Sequence, residues 1–162
     1  MSSSRSSNKP FPPVTSLLSH EPPMLLVDEI VEELPAGLVC KAAIRDDFVF
    51  LRGGEVDALV CVELVAQAVG CCVGLIDVRQ NDAPRGGLIV GCRDARLFVE
   101  KLHLGDKLLV RVKREWVREP AASFSGEVRR GDELLATVEL AVVAGTSVEA
   151  LVASGASNES NE

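Results

Sequence analysis

The residues best suited to proton transfer in this sequence are His20 and Glu63. His20 stands in SHEPPML, where Pro22 and Pro23 fix φ and keep the preceding residues out of helical conformation, so the imidazole sits in a stiff connection. Glu63 lies in a long apolar run, and a carboxylic acid in such surroundings can act as a general acid. A histidine base and a carboxylic acid are the minimal pair for abstracting one proton and protonating a leaving group.

Each of these residues also has a structural interpretation. Glu63 could equally be a carboxylate that faces solvent through a gap in the surrounding structure, or one that pairs with an arginine. A single histidine before a strand, taken alone, is more often structural than catalytic. The second histidine, His103 in LHLGD, precedes a Gly-Asp turn and is typical of a solvated strand end.

The cysteines favour no covalent or metal chemistry. There are five of them, an odd number, and no C-x-x-C pair occurs, which predicts neither a disulfide framework nor a metal site. We interpret them as small apolar core residues in a reducing compartment. They are Cys40, Cys61, Cys71, Cys72 and Cys92.

Length and charge restrict the class of protein. The 162 residues suit one domain with a core that needs no metal or disulfide. With 17 Lys+Arg against 24 Asp+Glu, the net charge is −7, which disfavours binding to nucleic acid or to an anionic membrane surface. An acidic partner must therefore dock on a local basic patch. The N-terminus has no apolar signal-peptide core, so we expect a cytoplasmic protein.

The order of elements predicts an α+β fold. Residues 24–34 and 38–45 form a predicted hairpin, and a helix over 58–78 follows with Asp57 as its N-cap. Strands are predicted over 87–99 and 107–117, and a last hairpin turns at Gly131-Asp132. We expect one domain over 14–145, with disordered tails at 1–13 and 146–162.

The predicted helix is apolar around most of its circumference. Its polar and small residues, Glu63, Gln67, Gly70, Gly74 and Asp77, fall within one narrow arc. Such a helix must be wrapped by other structure, and the antiparallel sheet is the available wrapper. A membrane span is disfavoured because three polar residues interrupt the run.

Three segments resemble the β-hydroxyacyl-acyl-carrier-protein dehydratases of the FabA/FabZ type, which have a hotdog fold. LLSHEPPMLLVDEI (17–30) resembles the family's Leu-Pro-His-Arg-x-Pro-Phe/Met-Leu-Leu-x-Asp-Arg-Val. VELVAQA (62–68) resembles its Glu-x-x-Ala-Gln helix signature, and CRDARLFVEKLHLGDKL (92–108) its Pro-Gly-Asp-x-Leu strand pair. The matches keep the family's order and span about residues 14–145.

The resemblance implies a sheet wrapped around the central helix and a (3R)-hydroxyacyl-thioester dehydratase without a metal or cofactor. His20 would correspond to the catalytic histidine, which takes the C2 proton, and Glu63 to the carboxylic acid, which protonates the C3 hydroxyl. Backbone N–H groups at the helix start, at Ala58 and Leu59, would stabilise the thioester oxygen. Gln67, in the helix signature, would help to position the substrate.

One region departs from the family pattern. FLRGGEVDALVCVE stands where the family has Gly-His-Phe-Pro and Pro-Gly-Val-Leu, so residues 50–56 would line a different entrance. This form is similar to the dehydratase-like subunits of aryl-polyene biosynthesis, some of which work as hotdog pairs. Two alternatives follow. One is a hotdog thioesterase, which needs the helix carboxylate but not His20, and the other is a non-catalytic hotdog subunit of a heteromeric dehydratase.

The resemblance also implies partners. The substrate would be an acyl-carrier-protein or coenzyme A thioester. Since a carrier protein is acidic like this chain, docking would need local cations, for which Arg93, Arg96 and Lys101 are candidates, with Arg52 and Arg85 from loops. Each of these cations, taken alone, is more often a solvated surface charge. An open sheet must cover its edges, which favours a homodimer or higher oligomer, or a hotdog heterodimer. We expect shared sites, with His20 of one subunit facing Glu63 of another.

Overall fold

A computed structural model describes residues 10–144. A 3₁₀ turn at Val14–Ser16 precedes eight strands and, among the described residues, one α-helix. The strands are β1 (Glu29–Leu34), β2 (Gly37–Ala43), β3 (Glu55–Asp57), β4 (Gly87–Leu97), β5 (Lys101–His103), β6 (Lys107–Arg118), β7 (Ala121–Arg130) and β8 (Glu133–Ala144), and the helix α1 is Val60–Arg79. Six strands form an antiparallel sheet in the order β1-β2-β6-β7-β8-β4, and β3 pairs with β5.

The large sheet packs one face on α1. Alternate residues of its strands turn inward, among them Leu38, Val110 and Phe124, which are almost fully buried. The helix approaches the sheet so closely at Gly126 that a Cβ there would collide with Val65 Cγ1. Burial of this kind stabilises the fold by roughly 1.5–3 kcal/mol for each large side chain.

The α+β prediction is confirmed, with differences at the element ends. Helix α1 begins at Val60 rather than at residue 58, because Asp57 ends strand β3 and its Oδ1 accepts the Leu59 N–H at 2.9 Å. The predicted hairpins and strands are present. The β3–β5 pair was missed, since strands of three residues show no alternation that a sequence pattern can reveal.

The domain begins before the boundary predicted at residue 14. Phe11, which was assigned to a disordered tail, is half-buried and packs against the core. The other predicted tail, 146–162, lies outside the described residues.

By length and composition alone, helix α1 could cross a membrane. In this fold, however, 67% of its most apolar 18-residue window is buried inside the protein. It is the core helix that the sheet wraps.

Strand β4 forms one edge of the large sheet and is mostly exposed. Within residues 10–144 its one pairing partner is β8, and ten of its eleven residues are exposed. The exposed positions include Leu88, Ile89 and Val90. A long apolar edge strand invites pairing with another chain.

Candidate active site

The segment 14–20, called the strap below, crosses the stripe of polar and small residues on α1. It can lie close because the helix carries glycines beneath it. A Cβ at Gly70 would be 2.6 Å from Leu18 Cδ2, and one at Gly74 would be 3.0 Å from the Leu17 carbonyl oxygen. The small residues of the stripe therefore position the strap, which ends at His20.

The strap brings the two predicted proton-transfer residues together. His20 Nε2 lies 3.5 Å from Glu63 Oε1, with the side chains 39% and 37% exposed. Glu63 is in the first turn of α1, and both residues line one cavity. The pair is thus held close while remaining open to a substrate.

The expectation that this pair is shared between subunits is wrong. The 3.5 Å distance joins two residues of the same chain. The physical reason is the strap, which passes over Gly70 and Gly74 and so reaches the helix that follows it in its own chain. A second subunit is not needed to bring base and acid together.

Gln67, which was predicted to help to position the substrate, holds the Glu63 carboxylate and is not among the described residues that line the cavity. It is buried, and its Oε1 accepts the Leu26 N–H at 2.8 Å and the Val27 N–H at 3.3 Å. Its Nε2 donates to the Met24 carbonyl oxygen at 2.8 Å and to Glu63 Oε1 at 2.9 Å. These bonds use both acceptor and both donor positions of the amide, so Gln67 is a positioning residue.

The predicted oxyanion donors are also occupied. The Ala58 N–H donates to the Glu100 carbonyl oxygen at 3.0 Å, and the Leu59 N–H donates to Asp57 Oδ1. Both groups are consumed where the β3–β5 pair meets the helix start. The expectation that they bind the thioester oxygen is therefore wrong for this arrangement.

The cavity beside the pair is small and mostly apolar, with a volume of about 150 Å³. It runs between the strap, one face of α1, and strands β4 and β8. Its polar side chains are Ser19, His20 and Glu63. This combination suits a molecule with one polar reacting end and one apolar tail.

The predicted docking cations are exposed but already paired with carboxylates. The pairs are Arg93 with Glu139 at 3.7 Å, Arg96 with Asp94 at 3.0 Å, and Lys101 with Asp57 at 3.7 Å. Arg52 bonds to the carbonyl oxygens of Val49 and Leu51. Exposed pairs of this kind contribute about 0–1 kcal/mol, so an acidic partner can exchange for them at little cost.

Asp77, on the polar stripe, has a structural role that the sequence did not reveal. It is buried, accepts the Arg85 backbone N–H at 3.1 Å, and binds the Arg85 guanidinium at 2.9 Å. The hydrogen bond to Asp77 raises the pKa of Arg85. The pair fixes the loop that leads from α1 into β4.

The cysteines do not offer a thiolate nucleophile to the cavity. Burial raises the pKa of both Cys61 and Cys72 to about 11. A hydrogen bond to the Cys71 thiol raises the pKa of Cys40. Such thiols are protonated and unreactive at neutral pH, in keeping with a packing role. Cys92 is exposed on β4, so the prediction of a core position is wrong for this cysteine.

Solved structures identify the fold class. The dehydratase heterocomplex ApeI:P from Xenorhabdus doucetiae matches with a TM-score of 0.80 and 25% identity over 87% of this chain and 96% of that chain. A hypothetical thioesterase with coenzyme A from Streptococcus pneumoniae matches with a TM-score of 0.57 and 11% identity over 72% and 86%. A mutant of the phenylacetic acid degradation protein PaaI from Thermus thermophilus matches with a TM-score of 0.56 and 17% identity over 71% and 90%. The chain has the hotdog fold.

Sequence comparison identifies the family. The profile of the ApeP-like family, described as ApeP dehydratase, matches residues 12–153. A search of curated proteins found no match. The chain belongs to the ApeP-like family of dehydratases. This family agrees with the resemblance to the β-hydroxyacyl-acyl-carrier-protein dehydratases and is a more specific assignment.

Proposed function

We propose that the chain dehydrates (3R)-hydroxyacyl thioesters to trans-2-enoyl thioesters. The observation that carries the proposal is the His20–Glu63 pair, 3.5 Å apart at the polar end of an apolar cavity. The family match supports dehydration as the reaction.

The proposed reaction uses the two side chains in opposite senses. His20 Nε2 takes the proton from C2, and the C2–H electron pair forms the C2=C3 double bond as the C3–O bond breaks. The Glu63 carboxylic acid gives its proton to the departing hydroxyl, which leaves as water. Return of the proton from the imidazolium of His20 to the Glu63 carboxylate restores the starting state.

The thioester oxygen needs a hydrogen-bond donor as negative charge gathers on it. Since the N–H groups of Ala58 and Leu59 are already engaged, we assign this role to Ser19. Ser19 precedes His20 and contributes the hydroxyl group of the cavity lining.

The experiment is turnover of 3-hydroxyacyl thioesters on acyl carrier protein and on coenzyme A. Dehydration is expected to give the conjugated 2-enoyl thioester, followed by its absorbance and mass, without release of free thiol. Thiol release would favour the thioesterase alternative. If this chain shows no turnover by itself but activates a hotdog partner, the alternative of a non-catalytic subunit would be favoured.

We further propose that β4 pairs with a second hotdog subunit. The support is the exposed apolar edge of β4, together with the similarity to a protein whose structure is a dehydratase heterocomplex. Edge pairing would continue the sheet and cover Leu88, Ile89 and Val90. A second copy of this chain and a different hotdog protein both fit this surface.

Val90→Lys should separate the subunits, because it places a charge on the surface that pairing would bury. Size-exclusion chromatography with light scattering is expected to give a dimer for the natural chain and a monomer for the variant. Leu104→Lys is the matched control, since Leu104 is equally exposed but lies beyond β5. A natural chain that is monomeric alone and dimeric with a hotdog partner would assign the edge to a heterodimer. Dimers that survive Val90→Lys would refute pairing through β4.

The carrier and the compartment complete the proposal. Arg93, Arg96 and Lys101 are exposed and exchangeable, which supports docking of an anionic carrier, either an acidic acyl carrier protein or the phosphates of coenzyme A. The buried free cysteines support a reducing, cytoplasmic location.

A further inference from the structure

The cavity floor is one face of α1 on which side-chain size changes with depth. Glu63, Ala66, Val69, Gly70 and Val73 all line the cavity. Beyond the Glu63 carboxylate, the floor has the methyl group of Ala66. It then has bare backbone at Gly70, with the branched side chains of Val69 and Val73 on either side in sequence. With the rise of an α-helix, Gly70 lies about 10 Å from Glu63 along the axis.

Leu18 forms the opposite wall at the same depth. It belongs to the strap, is half-buried, and lines the cavity. Its Cδ2 is so close to Gly70 that an added Cβ would approach within 2.6 Å. The cavity is therefore narrow between Leu18 and Gly70, and the Leu18 side chain, which can change rotamer, decides how narrow.

The volume of the whole cavity, on both sides of this constriction, limits the size of the acyl tail that it holds. A cavity of about 150 Å³ is the size of an engineered apolar cavity that binds benzene, or about six carbon atoms. The far end is lined by Gly86 and Gly87, which are exposed at the start of β4. A longer tail must pass Leu18 to leave at that end.

We propose that Leu18, seated over Gly70, is the specificity-determining residue for acyl length, and that the natural substrates have a short tail or a single ring. The inference rests on the proposed function for its reaction. The contact between Leu18 and Gly70, however, decides only which apolar tail the cavity accepts.

The test is the ratio of kcat/KM for a ten-carbon over a four-carbon 3-hydroxyacyl thioester. Leu18→Ala is expected to raise this ratio at least tenfold and Leu18→Phe to lower it, because one methylene in a fitted pocket changes selectivity by about 10–200-fold. Gly70→Ala should also lower the ratio. Since it acts through Leu18 Cδ2, Leu18→Ala added to Gly70→Ala should restore the ratio.

The control is Leu104→Ala, which removes an exposed leucine outside the cavity and should leave the ratio unchanged. If Gly70→Ala does not fold, the opposite shifts of Leu18→Ala and Leu18→Phe carry the test. A ratio that stays the same in both Leu18 variants would overturn the proposal.

A second measurement separates this inference from the proposed function. Unreactive acyl amides of pantetheine, four and ten carbons long, are titrated by calorimetry against the same variants. If no thioester is turned over but amide affinity follows the Leu18 substitutions, the proposed reaction fails and the length determinant stands. If thioesters are dehydrated but neither selectivity nor affinity responds to Leu18, the reaction stands and the length determinant fails.

Discussion

His20→Ala and Glu63→Gln are each expected to lower kcat for dehydration by about 10²–10⁴-fold, the usual contribution of a positioned proton-transfer group. The first variant removes the base that takes the C2 proton. The second keeps the shape of the side chain, and its amide can still meet Gln67, but it has no proton to give to the leaving hydroxyl. Stopped assays of the 2-enoyl product with each purified variant measure the effect.

The chain contains its own matched control. Its second histidine, His103, also lies near a glutamate, with Nε2 3.8 Å from Glu55 Oε1. That pair sits on the small β3–β5 sheet and is absent from the cavity lining. His103→Ala and Glu55→Gln should leave kcat unchanged. Equal losses in the two sets of variants would mean that the substitutions act through the fold and not through the chemistry.

The same variants distinguish the thioesterase alternative. A hotdog thioesterase requires the helix carboxylate but not His20. Activity that survives His20→Ala and is lost in Glu63→Gln would therefore contradict dehydration by the pair.

The helix and its wrapper could be predicted from the sequence because both follow from the distribution of apolar residues. A helix with one thin polar stripe can be stable in water only inside other structure, and the strand patterns supplied that structure. His20 and Glu63 could be identified for a similar reason, since their residue types and their surroundings suit proton transfer without any knowledge of distance.

The sequence could not predict that His20 lies beside Glu63 of its own chain rather than beside Glu63 of a partner subunit. The small residues Gly70 and Gly74 were visible on the helix stripe, but the pattern does not say what lies over them. A partner subunit and the chain's own strap would fill such a groove equally well. Only the fold shows that Leu17 and Leu18 occupy it.

The oxyanion prediction failed for a related reason. Whether the Ala58 N–H is available depends on the Glu100 carbonyl oxygen, which is far away along the chain. That contact comes from the pairing of two three-residue strands, which carry too few residues for a pattern. For the predicted docking cations, too, the sequence did not show which carboxylates they pair with.

The central claim is that base and acid belong to one chain, and mixed assemblies test it most directly. His20→Ala and Glu63→Gln chains with different affinity tags are co-expressed, and dimers that hold one copy of each are isolated on both tags. A parallel preparation pairs the natural chain with the double variant carrying both substitutions.

The 3.5 Å contact within the chain predicts opposite results for the two preparations. Dimers of the two single variants should be as inactive as either parent, because each chain carries one lesion. Dimers of the natural chain with the double variant should keep half of the natural activity, because one chain is intact. If the first preparation regains half of the activity and the second loses it, base and acid come from different subunits, and the account is contradicted.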